Sequence, residues 1–238
     1  MSQQTKIKKI NKLLVKQFGI PKKNEKLPDP LEMIIATILS QNTNDKNSYQ
    51  AYKNLKAKYK TYEELASAKR TSIEKEIKIA GLGKQKSEAI ANLLTELKSK
   101  RESLSLDFVN DLKNEDAITE LSSYKGVGVK TASCVLLFAL DRDVCPVDTH
   151  VHRTLNRIGL VKTSVPDKTY FSINENFPKG IAHSFHTNLI RLGREICKPK
   201  NPICTECPLF KDCTFEDKNM NKSKTAKTNS FMLLDNIG

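Results

Sequence analysis

The stretch Tyr124–Arg153 constrains the chain most. Gly126 and Gly128 flank a single valine shortly before an unbroken apolar run, Val135-Leu136-Leu137-Phe138-Ala139-Leu140. Glycine tolerates positive φ and carries no Cβ, so such a turn can present bare amides at the head of the following helix. There the first N–H groups lack intrahelical acceptors and the helix dipole favours an anion, so the amides of Gly126, Gly128 and Val129 suit a phosphate. Lys130 falls in the first turn of that helix, and Asp148 follows just ahead of Thr149-His150-Val151-His152-Arg153. Each piece has an ordinary explanation: a helix entry, a solvated lysine, an N-capping aspartate. Together, a lysine and a carboxylate beside a phosphate-gripping turn point to chemistry on a nucleic-acid sugar.

Charge agrees with that direction. Lys and Arg number 40 against 27 Asp and Glu, a formal net of +13. Such an excess fits a polyanionic partner, since clustered lysines release the counterions condensed on nucleic acid. No apolar run approaches a membrane span and no signal-peptide pattern precedes the first helix, so the chain is read as soluble, cytoplasmic and nucleoid-associated.

Helical periodicity runs through the chain, with no alternating strand pattern, and predicts an all-α protein. Ile7, Ile10, Leu13, Leu14 and Phe18 make one face of an amphipathic helix whose other face is basic, ended by Gly19 and Pro21. Asp29 or Pro30 opens a strongly apolar helix through Leu39, broken by Ser40-Gln41-Asn42-Thr43-Asn44-Asp45. Thr61–Glu64 and Thr71–Glu74 read as capping boxes. The second leads to Ala80-Gly81-Leu82-Gly83, an apolar tip between glycines, after which Lys84-Gln85-Lys86 open a helix. Further helices are expected over 115–121, 130–140, 148–158, from Pro166 through Phe177, and over 182–197. The tail from 217 to 238 reads as disordered, except that Phe231-Met232-Leu233-Leu234 could dock.

Six cysteines are present. Cys134 and Cys145 read as small buried core residues. Cys197, Cys204, Cys207 and Cys213 stand in the spacing Cys-x6-Cys-x2-Cys-x5-Cys. In a reducing compartment such a group is a metal site rather than a disulfide framework. Four thiolates suit either tetrahedral zinc or a [4Fe–4S] cluster. Lys198 and Lys200, in the first intercysteine loop, are either solvated charges or phosphate contacts.

Tyr124–Ala132 followed by Pro146-Val147-Asp148-Thr149-His150 resembles the helix-hairpin-helix and catalytic-aspartate segment of the endonuclease III family of DNA glycosylases. The cysteine spacing matches that family's [4Fe–4S] loop at all four positions, and the polar run after Leu39 matches its gap-filling motif. One departure is Lys125, where the family usually has proline.

The resemblance covers about residues 5–216. It implies two helical domains with the active-site cleft between them: a six-helix barrel with the hairpin over 28–142, and an iron–sulfur domain from 1–27 and 143–216. It also implies a monomeric, bifunctional glycosylase and AP lyase of base excision repair, acting on oxidised pyrimidines and abasic sites in double-stranded DNA. Lys130 matches the nucleophile and Asp148 the catalytic carboxylate; Leu82 matches a wedge residue, and Asn42, with Gln41 beside it, the gap filler. His150 joins the DNA-contacting positions.

Rival readings are a mismatch-specific monofunctional glycosylase and a non-catalytic iron–sulfur DNA-binding protein. The adenine-mismatch enzymes lack the lysine and carry a glutamate where this chain has Thr37. A non-catalytic protein has no need of a Lys130/Asp148 pair.

Overall fold

A computed structural model describes residues 1–221 and 233–237. Among the described residues there are helices and turns and no strand. The chain divides into two compact units. One, the cysteine unit, comprises Met1–Lys23 and Arg142–Ser230; the other, the hairpin unit, comprises Asn24–Asp141 and Phe231–Gly238.

The hairpin unit is built on α2 (Pro30–Ser40), whose residues are buried on every side except at Glu32 and its last residue. An all-round apolar helix needs neighbours all round. α2 packs on α3 (Asp45–Lys58), α6 (Gly83–Arg101) and α8 (Val129–Cys134). Asp29 starts it, its carboxylate accepting from Glu32 N at 3.0 Å, with Pro30 in the first turn. The one interior hydroxyl, Thr37, donates to Met33 O at 2.8 Å. Short α4 (Tyr62–Ala66) packs on α6, and α5 (Arg70–Ile77) packs on α3 and α6. α7 (Asn114–Ser122) and α8 form the helical hairpin. Past Cys134 the helix continues as a π-helical turn, Val135–Ala139, closed by Leu140 N on Val135 O at 3.2 Å.

The cysteine unit contains α1 (Gln3–Phe18), α9 (Thr149–Arg157), α10 (Pro166–Asn174) and α11 (Ala182–Glu195). α1 and α9 pack on α11, and α10 on α9. Gly19 ends α1 at φ 81°, with its N–H on Val15 O. Gly193 allows α9 and α11 to approach closely, because a Cβ there would stand 2.8 Å from His150 Cβ.

Three expectations change. The Thr61 box forms, with Glu64 N on Thr61 Oγ1 at 3.2 Å, but the Thr71 box does not. α5 already begins at Arg70, and Glu74 is taken by an ion pair with Arg70. α10 stops at Asn174, whose amide bonds Cys145 N and O, so Phe177 lies beyond the helix and packs edge-on against Phe185. Within the tail, Leu233–Asn236 forms a 3₁₀ turn against α2 and α3, with Leu233 and Ile237 buried. Leu233 N donates to Asp45 Oδ1 at 3.1 Å. Phe231 and Met232, like 222–230, lie outside the described residues.

Candidate functional site

The hairpin turn is closed by Val127 N donating to Tyr124 O at 3.0 Å, with both side chains buried. Its two glycines have different reasons. Gly126 sits at φ 90°, and a Cβ there would come within 2.5 Å of Ala89 Cβ on α6. Gly128 has ordinary φ (−105°) and open space around it, and it caps α8. The first helical bond is Ala132 N on Gly128 O, so the amides of Val129, Lys130 and Thr131 have no intrahelical acceptor. Lys125 is exposed and leaves the turn's bonding intact.

Lys130 is half-buried in that first turn. Beside it, the buried Thr131 hydroxyl accepts from Gln41 Nε2 at 3.4 Å. Gln41 is thus turned back onto the helix that bears the lysine, whereas Asn42 is exposed and held at φ 49°. The second tip repeats this geometry: Leu82 stands at φ 50° and 44 % exposed, between Gly81 and Gly83. A non-glycine residue with left-handed backbone is uncommon, and for a bulky residue it is strained. Ile79, on the same loop, is also exposed.

Lys86 was not marked as functional by the sequence. Though a lysine, it is only 1 % exposed. Its ammonium donates to Leu39 O at 2.9 Å and Ala80 O at 2.8 Å. Burial pulls it down to about 8, while two carbonyl acceptors favour the charged form.

In the cysteine unit Asp148 caps α9, Oδ1 accepting from Val151 N at 2.8 Å. His150 is lowered from the usual histidine range by burial above all, against a smaller opposite pull from Asp148. Arg153 and Arg157 project from the same helix and grip the cysteine loop. Arg153 donates to Cys197 O from Nε (3.1 Å) and Nη2 (2.9 Å), and to Gly193 O. Arg157 donates to Lys198 O at 2.7 Å and Pro199 O at 3.0 Å, and lies over the Phe215 ring. Sequence reading missed both arginines; their signal was the i, i+4 spacing on one helix face.

Cys197, Cys204, Cys207 and Cys213 line one pocket, closed by Ile158, Leu192, Phe210 and Phe215. Burial pushes the Cys207 thiol up to about 12 and raises Cys213 as well. Among the described residues no three His, Cys, Asp or Glu side chains converge closely enough to hold a single metal ion. The four thiols share this apolar-walled pocket, a set of donors that a metal centre would take as thiolates. Lys198 is half-buried and Lys200 exposed on this loop. No described helix is long and apolar enough to cross a membrane.

Comparison with known proteins matches residues 35–179 to the HhH-GPD superfamily of base excision DNA repair proteins. Endonuclease III of Thermotoga maritima is 36 % identical over 209 residues, spanning 88 % of this chain and 92 % of that protein. A non-covalent endonuclease III–DNA complex superposes with TM-score 0.74 at 27 % identity, over 90 % of this chain and 96 % of that one. A trapped covalent endonuclease III–DNA intermediate gives TM-score 0.74 over 90 % and 97 %.

Proposed function

Because the chain belongs to the endonuclease III family of HhH-GPD base excision repair proteins, we propose that it is a DNA glycosylase and AP lyase in which Lys130 is the nucleophile and Asp148 the carboxylate that supports base departure. The preferred substrates are oxidised pyrimidines in duplex DNA. One observation carries the residue assignment: Gln41 ties the gap-filling loop to Thr131, immediately beside Lys130. The nucleophile and the loop that fills the vacated stack therefore share one hydrogen-bonded piece of structure.

A stacked base shields its sugar, so the nucleotide must be extruded, and Leu82 and Asn42 offset the unstacking cost by filling the gap. Asn42 rather than Gln41 is the filler, since Gln41 is engaged with Thr131. The amides of Gly126, Gly128 and Val129 hold backbone phosphate, with Lys198, Lys200 and His150 as further contacts.

The glycosidic bond then breaks, its electron pair leaving with the base, and the Lys130 amine bonds to C1′. Asp148 stabilises the positive charge developing on the sugar and assists the proton transfers. Loss of the ring-oxygen bond gives an imine. Removal of a C2′ proton expels the 3′ phosphate by β-elimination, and water releases the lysine.

Cys197, Cys204, Cys207 and Cys213 would hold a [4Fe–4S] cluster as thiolates. Bound there, the cluster supplies cross-linking of the loop that carries Lys198 and Lys200. Arg153 and Arg157 fix the same loop to α9 through its carbonyls.

The test is single-turnover cleavage of duplexes carrying a panel of oxidised pyrimidines. Strand breaks ending in a 3′ unsaturated aldehyde, abolished by Lys130→Gln, support the reading. Base release without strand cleavage by the unaltered protein contradicts it.

A further inference from the structure

We propose that Lys86 is a positioning residue that sets both wedge loops at once, joining the loop of Asn42 to the loop of Leu82 through one buried cation. The proposal rests on the reading of those two tips as wedge and filler. Its carriers are two hydrogen bonds, to Leu39 O and to Ala80 O. Leu39 belongs to the last turn of α2, and Ala80 ends the 3₁₀ turn Lys78–Ala80. Carbonyls at such helix ends lack intrahelical donors. The chain turns into one tip just after each of them: Asn42 follows Leu39 by three residues and Leu82 follows Ala80 by two.

Several physical facts favour a positioning role over plain support. A lysine this deeply buried is rare, because removing an ammonium from water is costly unless it is paired. An apolar side chain would fill the same space without that cost. What the ammonium adds is a charge-assisted bond to each of two carbonyls, stronger than neutral bonds. Both tips also hold left-handed backbone at non-glycine residues, φ 49° at Asn42 and φ 50° at Leu82. Such backbone persists only where its surroundings over-determine it. Lys86 lies in the first turn of α6, four residues beyond Leu82, and its own N–H donates to Leu82 O at 3.0 Å. The residue therefore holds the Leu82 loop by backbone and side chain together, while reaching α2 with the same ammonium. In consequence neither tip can relax alone without disturbing the ammonium that also serves the other.

The test is a double-mutant cycle between Lys86→Met and Leu82→Ala in the full chain. Three readouts are taken: single-turnover excision of an oxidised pyrimidine from duplex, cleavage of a preformed abasic site, and the fluorescence of 2-aminopurine placed opposite an uncleavable abasic analogue. Lys86→Met should lower duplex excision about tenfold or more, with both carbonyls orphaned. It should change abasic cleavage by about twofold at most, and it should blunt the 2-aminopurine rise as Leu82→Ala does. In the Leu82→Ala background it should cost less than it does alone, leaving only its share through the Asn42 tip, since coupled residues are not additive. Should Lys86→Met fail to fold by circular dichroism, Lys86→Gln, which keeps an amide donor, replaces it with the same pattern at smaller size. Multiplicative losses, or equal losses on both substrates, overturn the proposal and make Lys86 a core residue only. A defect in Leu82→Ala with none in Lys86→Met overturns Lys86 alone. No defect in Leu82→Ala overturns the wedge reading and the proposal with it.

Discussion

Gly126→Ala isolates the hairpin's geometry, and its cost can be built from two terms. At φ 90° the backbone is left-handed, which costs an L-residue about 1–2 kcal/mol. The new Cβ would also meet Ala89 Cβ at 2.5 Å, and overpacking of this kind costs about 1–3 kcal/mol. The sum is roughly 2–5 kcal/mol, or a fall in Tm of roughly 4–20 °C for a chain of this length. Gly128→Ala is the internal control: its φ is ordinary and its surroundings open, so a loss of only about 1 kcal/mol or less is expected, the difference between glycine and alanine at an N-cap. Ala89→Gly separates the terms. On its own it loses about 1 kcal/mol of helix propensity; combined with Gly126→Ala it should return about 1–3 kcal/mol by removing the overlap. Thermal melts of these four variants and the unaltered protein, alongside affinity for an uncleavable abasic duplex, read both stability and function. Equal effects of Gly126→Ala and Gly128→Ala, or no rescue by Ala89→Gly, would refute this account of the turn.

Asp148→Asn keeps a capping oxygen for Val151 N, so Tm should hold while base release in single-turnover assays falls by roughly 100-fold or more. Asn42→Ala should slow excision from duplex far more than cleavage of a preformed abasic site, measured side by side; Gln41→Ala should instead slow both, because it frees the loop from Thr131. Burial lowers His150, so the unfolded chain binds its proton first and stability is lost as pH falls below the ordinary histidine value of about 6.5. His150→Gln should flatten that part of a Tm-versus-pH curve, with no change near pH 8. Protein purified without oxygen should contain about four irons per chain, and Cys207→Ser should lower that figure in metal analysis.

Much of the fold was legible because the apolar residues recur at helical spacing and the caps are local. Asp29-Pro30, Thr61 and Gly19 do in the structure what their chemistry dictates. What failed did so where a tertiary partner outbid a local one. Thr71 resembles a cap until Arg70 claims Glu74, and Phe177 looks helical until Asn174 turns its amide to Cys145. The π-helical turn after Cys134 leaves no periodic trace, because Val135–Ala139 is buried throughout.

At the candidate site, sequence marked residues by type and could not see their surroundings. Gly126 and Gly128 look alike in the sequence, yet only one opposes Ala89. Lys86 reads as one more surface lysine at a helix start, and only the fold reveals the two carbonyls it serves. Arg153 and Arg157 likewise gain meaning from the carbonyls of Cys197 and Lys198, which are close in space and distant along the chain.

The central claim is that Lys130 supplies the amine, and the most direct measurement is peptide mapping of the borohydride-trapped protein–DNA adduct by mass spectrometry. The account predicts the reduced sugar adduct on the peptide containing Lys130, and no adduct from Lys130→Gln under the same conditions. An adduct on another lysine or on the Met1 amine, persisting in Lys130→Gln, would contradict it.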